Sequence, residues 1–305
     1  MLRYIIKRIF EAIPVLFIVA TVSFFLMKMM PGGPFDTEKV TTPEIKLAIE
    51  KQYGLNQPIW KQYIDYMGHL ARGDLGPSFK YAGWTVNELL AGAFPVSLEL
   101  GCYALAFALV VGMVAGIIAS LRKNTASDYV PMSLATLGIC LPTFVTGPLL
   151  ILLFGICLHW YNTSGWYLPS DRVLPSITLG LYYTAYISRL TRGGMLEILN
   201  QDFIRTARAK GATEWRIVWK HALRGGVLSV VSFLGPAVAG IITGSLVVET
   251  IFQIPGLGRF FIMAGFNRDY TMVMGTVLFF AALTIFANLV VDILQVWLNP
   301  KLRFE

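Results

Sequence analysis

Apolar residues run in long blocks along this chain, separated by shorter polar and basic stretches. The blocks cover roughly 9–29, 97–121, 130–158, 174–195, 227–252 and 272–298. Each reaches or exceeds the ~18 residues that mark a helix able to cross a bilayer. The pattern predicts an all-α polytopic membrane protein with six transmembrane helices. The block 130–158 is longer than a bilayer needs, so Pro142 is expected to kink it and tilt to absorb the rest. The first block follows a basic start, as a signal peptide does. Its length and the absence of a small-x-small site in MMPGGPF favour a retained helix instead.

Between the first and second blocks, residues 31–95 carry weaker helical patterns and predict a helical insertion. In TTPEIKLAIEKQYG, Thr42 suits a cap, Pro43 a first position and Gly54 a helix end. QPIWKQYIDYMGHLARG predicts a second helix, with Ile59, Trp60, Tyr63, Ile64 and Met67 on its apolar side. In TVNE, Thr85 and Glu88 form a capping box for a short third helix before Pro95. The chain then divides into a tail with the first span (1–30), the insertion (31–95) and a five-helix core (96–305).

Composition agrees with the pattern. Of 305 residues, 55% are hydrophobic and 14% charged, against about 25% charged in soluble domains. A net charge of +7 could suggest nucleic acid, but the basic residues sit where topology needs them. Arg3, Lys7 and Arg8 precede the first span, Arg122 and Lys123 follow the second, and Lys301 and Arg303 end the chain. Arg189, Arg192, Arg205, Arg208, Lys210, Arg216, Lys220 and Arg224 follow the fourth. Short Lys/Arg-rich loops stay in the cytoplasm, so both termini are expected inside and 31–95 outside, without nucleic acid as a partner. Cys102, Cys140 and Cys157 all lie in apolar runs and read as free, buried thiols.

The chemistry of an enzyme is missing. There is no G-x-x-x-x-G-K-[ST] loop and no H-E-x-x-H, and His69, His159 and His221 fall in different loops. Glu11, Glu99, Glu249 and Asp292 lie inside or at the edge of spans, and Asn288 shares a face with Asp292. A proton relay is one reading of them, but capping or structural hydrogen bonds are favoured. Gly112 with Gly116, and Gly240 with Gly244, form G-x-x-x-G patterns that predict close helix packing.

The segment 200–224 stands out. DFIRTARAKGATEWRIVWKHALR holds six Lys or Arg between two apolar blocks. It predicts a short helix from Asp202 to Lys210 with Phe203, Ile204 and Ala207 on one side. A turn follows at Gly211, and an amphipathic helix begins at Thr213 with Trp215, Val218, Trp219 and Ala222 along one stripe. A basic amphipathic helix can also lie on anionic lipid.

RTARAKG resembles the cytoplasmic signature E-A-A-x-x-x-G of ABC importer permeases. Arg205, Thr206 and Ala207 stand at its Glu-Ala-Ala and Gly211 at its Gly, in the form usual for the peptide and nickel branch. The signature's later Pro is Arg224 here. MMPGGPF, GDLGPSFKY, LPTFV, VVETIFQIPGLGRFF and GFNRDYTMV extend the resemblance along the chain, and are most similar to the oligopeptide permeases of that branch. The resemblance implies a non-enzymatic permease in a bacterial inner membrane, paired with a second, related permease. It implies no cofactor in this chain, with ATP and Mg bound by two cytoplasmic ATPase subunits and peptide delivered by a periplasmic or extracellular binding protein. It makes 31–95 periplasmic. Asp202, Arg205, Thr206, Ala207, Arg208, Lys210 and Gly211 would form the coupling helix against an ATPase. Alternatives are a permease for dipeptides, glutathione or nickel, a proton-coupled carrier, and a membrane anchor without transport.

Overall fold

The structure, a computed structural model, describes residues 2–30, 51 and 54–298. The helix expected over 42–54 falls almost wholly outside them, as do Lys301 and Arg303. Gly54 has φ +66°, the left-handed geometry expected of a glycine that ends a helix. The described chain is helical, with one isolated bridge between Pro77 and Thr85.

Three helices are long and apolar enough to cross a membrane: Ile6–Met29, Val86–Leu121 and the stretch Tyr270–Leu294. The number rises to five if each of two bent pairs counts as one span. The six predicted spans exceed that count because Val173–Leu199, over the fourth block, is not among them. Its sequence is rich in Ser, Thr, Tyr and Gly, and Pro175, Ser176, Thr178, Ser188 and Thr191 are buried against neighbouring helices. A helix packed inside protein need not be apolar all round.

Two prolines act differently from expectation. Pro142 does more than kink its block. Helices Ala126–Cys140 and Thr143–Cys157 meet at 109°. Leu141, next to a proline, is extended (φ −91°, ψ 114°), so the first helix ends there. Pro95 does less. Thr85 and Glu88 form the predicted capping box, but the helix they start runs unbroken from Val86 to Leu121 with Pro95 inside it. The expected short third helix is therefore the first turns of this 36-residue helix.

We label the main elements α1 (Leu2–Met29), α2 (Ile59–Ala71), α3 (Val86–Leu121), α4 (Ala126–Cys140) and α5 (Thr143–Cys157). Then come α6 (Val173–Leu199), α7 (Asp202–Ala209), α8 (Glu214–Gly226), α9 (Leu228–Ile251), α10 (Leu257–Phe266) and α11 (Tyr270–Leu298). Helices α3 and α6 form the centre. A Cβ on Gly112 would lie 2.9 Å from the Thr184 carbonyl, and one on Gly116 2.5 Å from the Ser188 carbonyl. From the other side, a Cβ on Gly180 would lie 2.8 Å from the Ala104 carbonyl. The two backbones thus touch directly over several turns. Leu100, Ala104, Leu179, Ile187, Ile241 and Phe252 fill the core around them.

On α9, Gly240 abuts the Tyr183 hydroxyl, and the surroundings of Gly244 lie outside the described residues. Helix α1 packs along α11, where Arg8 Nη2 meets Asp292 at 2.7 Å. Helix α2 leans on α1 through Phe24 stacked with Tyr66 and Phe25 with Tyr63. Ile59, Trp60 and Ile64 of its predicted apolar side stay exposed. Beyond α2, Asp74 accepts the Gly76 N–H at 2.9 Å. That bond, with His69 alongside, holds its carboxyl below the usual carboxylate range.

These contacts predict unequal costs for similar changes in α3. Gly116→Ala drives a methyl into the Ser188 carbonyl and Thr191, and overpacking of this kind costs about 1–3 kcal/mol. Gly92→Ala meets no atom within 4 Å, so the gain from replacing a helical glycine, about 0.5–1 kcal/mol, should prevail. Thermal melting in mild detergent should show a lower midpoint for the first and an equal or higher one for the second. Equal shifts would mean that α3 and α6 are not in backbone contact.

Candidate functional site

The basic segment forms a bent arm of two helices. Helix α7 buries Ile204 and half-buries Ala207, while Phe203, Arg205, Thr206, Arg208 and Lys210 face outward. Its end is built as the sequence predicts. Gly211 has φ +80°. Its N–H donates to the Arg208 carbonyl at 2.9 Å, and the Ala212 N–H to the Ala207 carbonyl at 3.1 Å. This pair of bonds around a left-handed glycine is a Schellman closure. The Thr213 hydroxyl then accepts the Arg216 N–H at 3.4 Å to open α8. Arg208 Nε and Glu214 Oε1, 2.8 Å apart, lock the two helices across the turn.

The predicted stripe on α8 is only half inside. Residues Ile217–Ala222 are π-helical, with i→i+5 bonds and a wider turn. A stripe drawn at 3.6 residues per turn does not fit such a backbone. Ile217, Val218 and Ala222 point inward, whereas Trp215 and Trp219 pair at 5.1 Å on the surface. Asp202, Arg205, Arg208, Lys210 and the two tryptophans therefore share one exposed arm.

The seat of this arm went unread in the sequence. Gly194 of α6 lies directly against Gly226 at the end of α8. A Cβ on Gly225 would lie 2.8 Å from Ile198 Cδ1, and one on Gly226 2.7 Å from Met195 Sδ. Met195, Val218 and Ala222 form a small core there with Ile117, Ile198 and Leu223. Two Gly-Gly pairs, 193–194 and 225–226, were the available signal. Nearby, Asp128 accepts Arg192 through both carboxylate oxygens at 2.6 and 2.7 Å and the Asn124 N–H at 3.0 Å. This pins α4 to the end of α6.

The ionisable residues singled out along the spans do not converge. Glu249 accepts the Ser97 hydroxyl and the Gly258 N–H, both at 2.7 Å, holding the IPGLG turn against α3. Glu99 accepts Arg172 Nε at 2.9 Å and Trp166 Nε1 at 3.1 Å, tying the loop before α6 to α3. Asp292 pairs with Arg8, and Glu11 lies 3.9 Å from Lys7. Glu99, Glu249 and Asp292 thus tie different elements together, whereas the Glu11–Lys7 pair lies within α1.

Three further buried acids were not singled out from sequence: Asp128, Asp171 and Asp269. Asp171 accepts the Tyr167 and Leu168 N–H groups, both at 2.8 Å. Asp269 accepts the Ser78 hydroxyl, the Phe79 N–H at 3.1 Å and the Met272 N–H at 3.2 Å. It thereby joins GDLGPSFKY to GFNRDYTMV. Cys102, Cys140 and Cys157 are unpaired but exposed on the surface of the chain. The expectation of buried thiols fails because a membrane chain turns apolar residues outward as well as inward.

Residues 112–304 match the family described as binding-protein-dependent transport system inner membrane component, and residues 1–99 match its companion for the N-terminal part. The chain is 47% identical to the oligopeptide transport system permease protein OppB of Haemophilus influenzae and 48% identical to that of Escherichia coli K12, over all of each chain. It is 42% identical to the dipeptide transport system permease protein DppB of Bacillus subtilis, over all of this chain and 99% of that one.

Among solved structures, the MetNI methionine ABC transporter in an inward-facing form shares the fold. Its TM-score is 0.59 at 18% identity, over 69% of this chain and 96% of that one. A bacterial ABC transporter involved in alginate import gives a TM-score of 0.59 at 10% identity, over 85% and 91%. The chain has the fold of an ABC transporter permease. It belongs to the family of binding-protein-dependent transport system inner membrane components.

The seat of the arm gives a paired test. Gly194→Ala would place a methyl in the Gly226 carbonyl, whereas Gly193→Ala meets nothing within 4 Å. Hydrogen exchange followed by mass spectrometry should show faster exchange over 195–199 and 217–226 in the first variant. The second should match the wild type. Unchanged exchange in Gly194→Ala would remove the Gly-Gly contact as the anchor of the arm.

Proposed function

We infer that this chain is the pore-forming permease subunit of an ATP-driven importer of oligopeptides. The full-length identity to two proteins named OppB carries this reading, and it exceeds the identity to the dipeptide permease. The chain would work with a second, related permease, two cytoplasmic ATPases that bind ATP and Mg, and a periplasmic binding protein. Both termini and the basic arm would be cytoplasmic, and residues 31–95 periplasmic. Six crossings result when α6, α9 and the broken α4–α5 pair are each counted as a span beside α1, α3 and α11.

The arm is the part suited to an ATPase. Asp202, Arg205, Thr206, Ala207, Arg208, Lys210 and Gly211 form a short helix and turn, most of whose side chains face outward. The Schellman closure and the Arg208–Glu214 pair make it stiff enough to transmit a push. A proton-coupled carrier finds less support. Glu249 and Asp292, the residues it would use, are engaged with Ser97 and Gly258 or with Arg8.

Gly211→Val tests the coupling role. At φ +80° a β-branched residue is strained by about 1–3 kcal/mol, although no atom lies within 4 Å of its Cβ position. A tenfold change in binding needs only about 1.4 kcal/mol. Normal membrane levels, less co-purified ATPase and little peptide uptake are expected, with Gly211→Asn milder because Asn tolerates this conformation. Arg205→Glu should act in the same direction. Wild-type uptake and ATPase recovery in both Gly211→Val and Arg205→Glu would assign the arm to the lipid surface instead.

Orientation has its own test. In a cysteine-free background, a cysteine at Lys61 should react with an impermeant maleimide from outside intact spheroplasts. Reaction only after lysis would reverse the topology.

A further inference from the structure

A groove of about 480 Å³ opens where the start of α6 meets α3. Glu99, Tyr103 and Phe107 line it from α3, with Arg172 and Ser176 opposite. Three features set it apart from an ordinary surface crevice. First, Ser176 is 6% exposed and its hydroxyl meets no hydrogen-bond partner, which is uncommon for a buried polar atom. Second, the groove holds an ion pair of opposite signs. Glu99 Oε1 and Oε2 each accept one bond, from Arg172 and Trp166, and a carboxylate oxygen can accept two.

Third, Arg172 is held ready. Its Nε bonds Glu99, its Nη1 bonds the Leu168 carbonyl, and its guanidinium lies 4.9 Å from the centre of the Trp166 ring. Its Nη2 has no partner among the described residues. The groove thus offers a fixed negative charge, a hydroxyl that can accept or donate, and a cationic donor. Two aromatic rings form its apolar wall.

We propose that this groove is a subsite for the free amino end of a transported peptide, a reading that rests on the importer function above. The α-ammonium sits between the Glu99 carboxylate and the Ser176 Oγ, donating to both. The first peptide carbonyl accepts from Arg172 Nη2. The first side chain lies against Tyr103 and Phe107, which set no specific shape. Every peptide presents the same ammonium and first carbonyl, so the groove reads the end of the chain and not its sequence. Contacts so few hold the peptide only briefly, as a transport path requires.

The test uses the whole transporter with its binding protein, reconstituted in proteoliposomes. Uptake of one peptide is measured with its amino end free and with it acetylated, and the ratio is taken. The binding protein is the same in every preparation, so its own preference cancels between variants. Glu99→Gln keeps a partner for Arg172 but removes the charge. Ser176→Ala removes a hydroxyl that has no hydrogen-bond partner within the chain, so it should fold and assemble normally.

The free-to-acetylated ratio should fall about tenfold in Glu99→Gln and about threefold in Ser176→Ala. If Glu99→Gln fails to assemble, Ser176→Ala alone decides. A ratio that stays at the wild-type value, whatever happens to the absolute rate, overturns the subsite and leaves the importer reading intact. No uptake of either peptide by the wild-type assembly would remove the importer reading, and the subsite with it.

Discussion

Direct backbone contact between α3 and α6 is the constraint on which the rest of this structure depends. In a bilayer, apolar side chains gain little by leaving lipid for protein, so helices associate through close packing and polar contacts. Gly112 and Gly116 give α3 a groove, and the Thr184 and Ser188 carbonyls of α6 lie in it. Gly180 returns the contact from α6 to Ala104. At this separation α6 can carry Ser176, Thr178, Tyr183, Ser188 and Thr191 without exposing them to lipid. Thr178 and Ser188 return their hydroxyls to the Leu174 and Ala185 carbonyls of their own helix. The central helix is therefore polar because it is central.

Buried carboxylates do at the ends what glycines do in the middle. Asp128, Asp171, Glu249 and Asp269 are nearly inaccessible, and each accepts hydrogen bonds from backbone N–H groups where regular structure stops. A buried loop has N–H groups that no helix satisfies, and an unpaired one costs free energy comparable to a lost hydrogen bond. One acid with two oxygens can satisfy several at once. Motifs far apart in sequence, such as GDLGPSFKY and GFNRDYTMV, meet at such an acid.

Much of this was legible in the sequence, because much of it is local. Periodicity and length place the long helices. The Thr85–Glu88 box and the left-handed Gly211 follow from rules that act over four or five residues. Contacts between distant segments were not legible. The Gly-Gly pairs at 193–194 and 225–226 hint at close packing but do not say that they pack on each other, and no local pattern links Asp269 to Ser78. Pro95 and Pro142 show the same limit. Pro95 precedes one apolar block and Pro142 interrupts another, yet the first sits inside a continuous helix and the second joins two at 109°. The difference lies in what surrounds each proline, and hydropathy does not record surroundings. Trp215 and Trp219 part from Val218 and Ala222 of the same predicted stripe for a related reason. A π-helical stretch changes the period on which the stripe was drawn.

Helix α6 unites the two ends of the molecule. Arg172 and Ser176 lie at its start, in the groove with Glu99, and Gly194 and Met195 near its end meet the basic arm. Nineteen residues separate Ser176 from Met195 in the sequence, roughly 28 Å of helix at 1.5 Å per residue. Within that length Gly112, Gly116 and Gly180 hold α6 against α3. Such a contact resists sliding, because ridges and notches must stay in register. It resists a small rotation less, because the notches carry no side chains. In the importer proposed here, a push on the arm would reach the groove as a turn of α6 about this contact. Ser176 would then move relative to Glu99, the group on α3 that shares the peptide's amino end. A site split across two helices that pivot on glycine loosens when they turn, so the same motion that carries the arm would release the peptide.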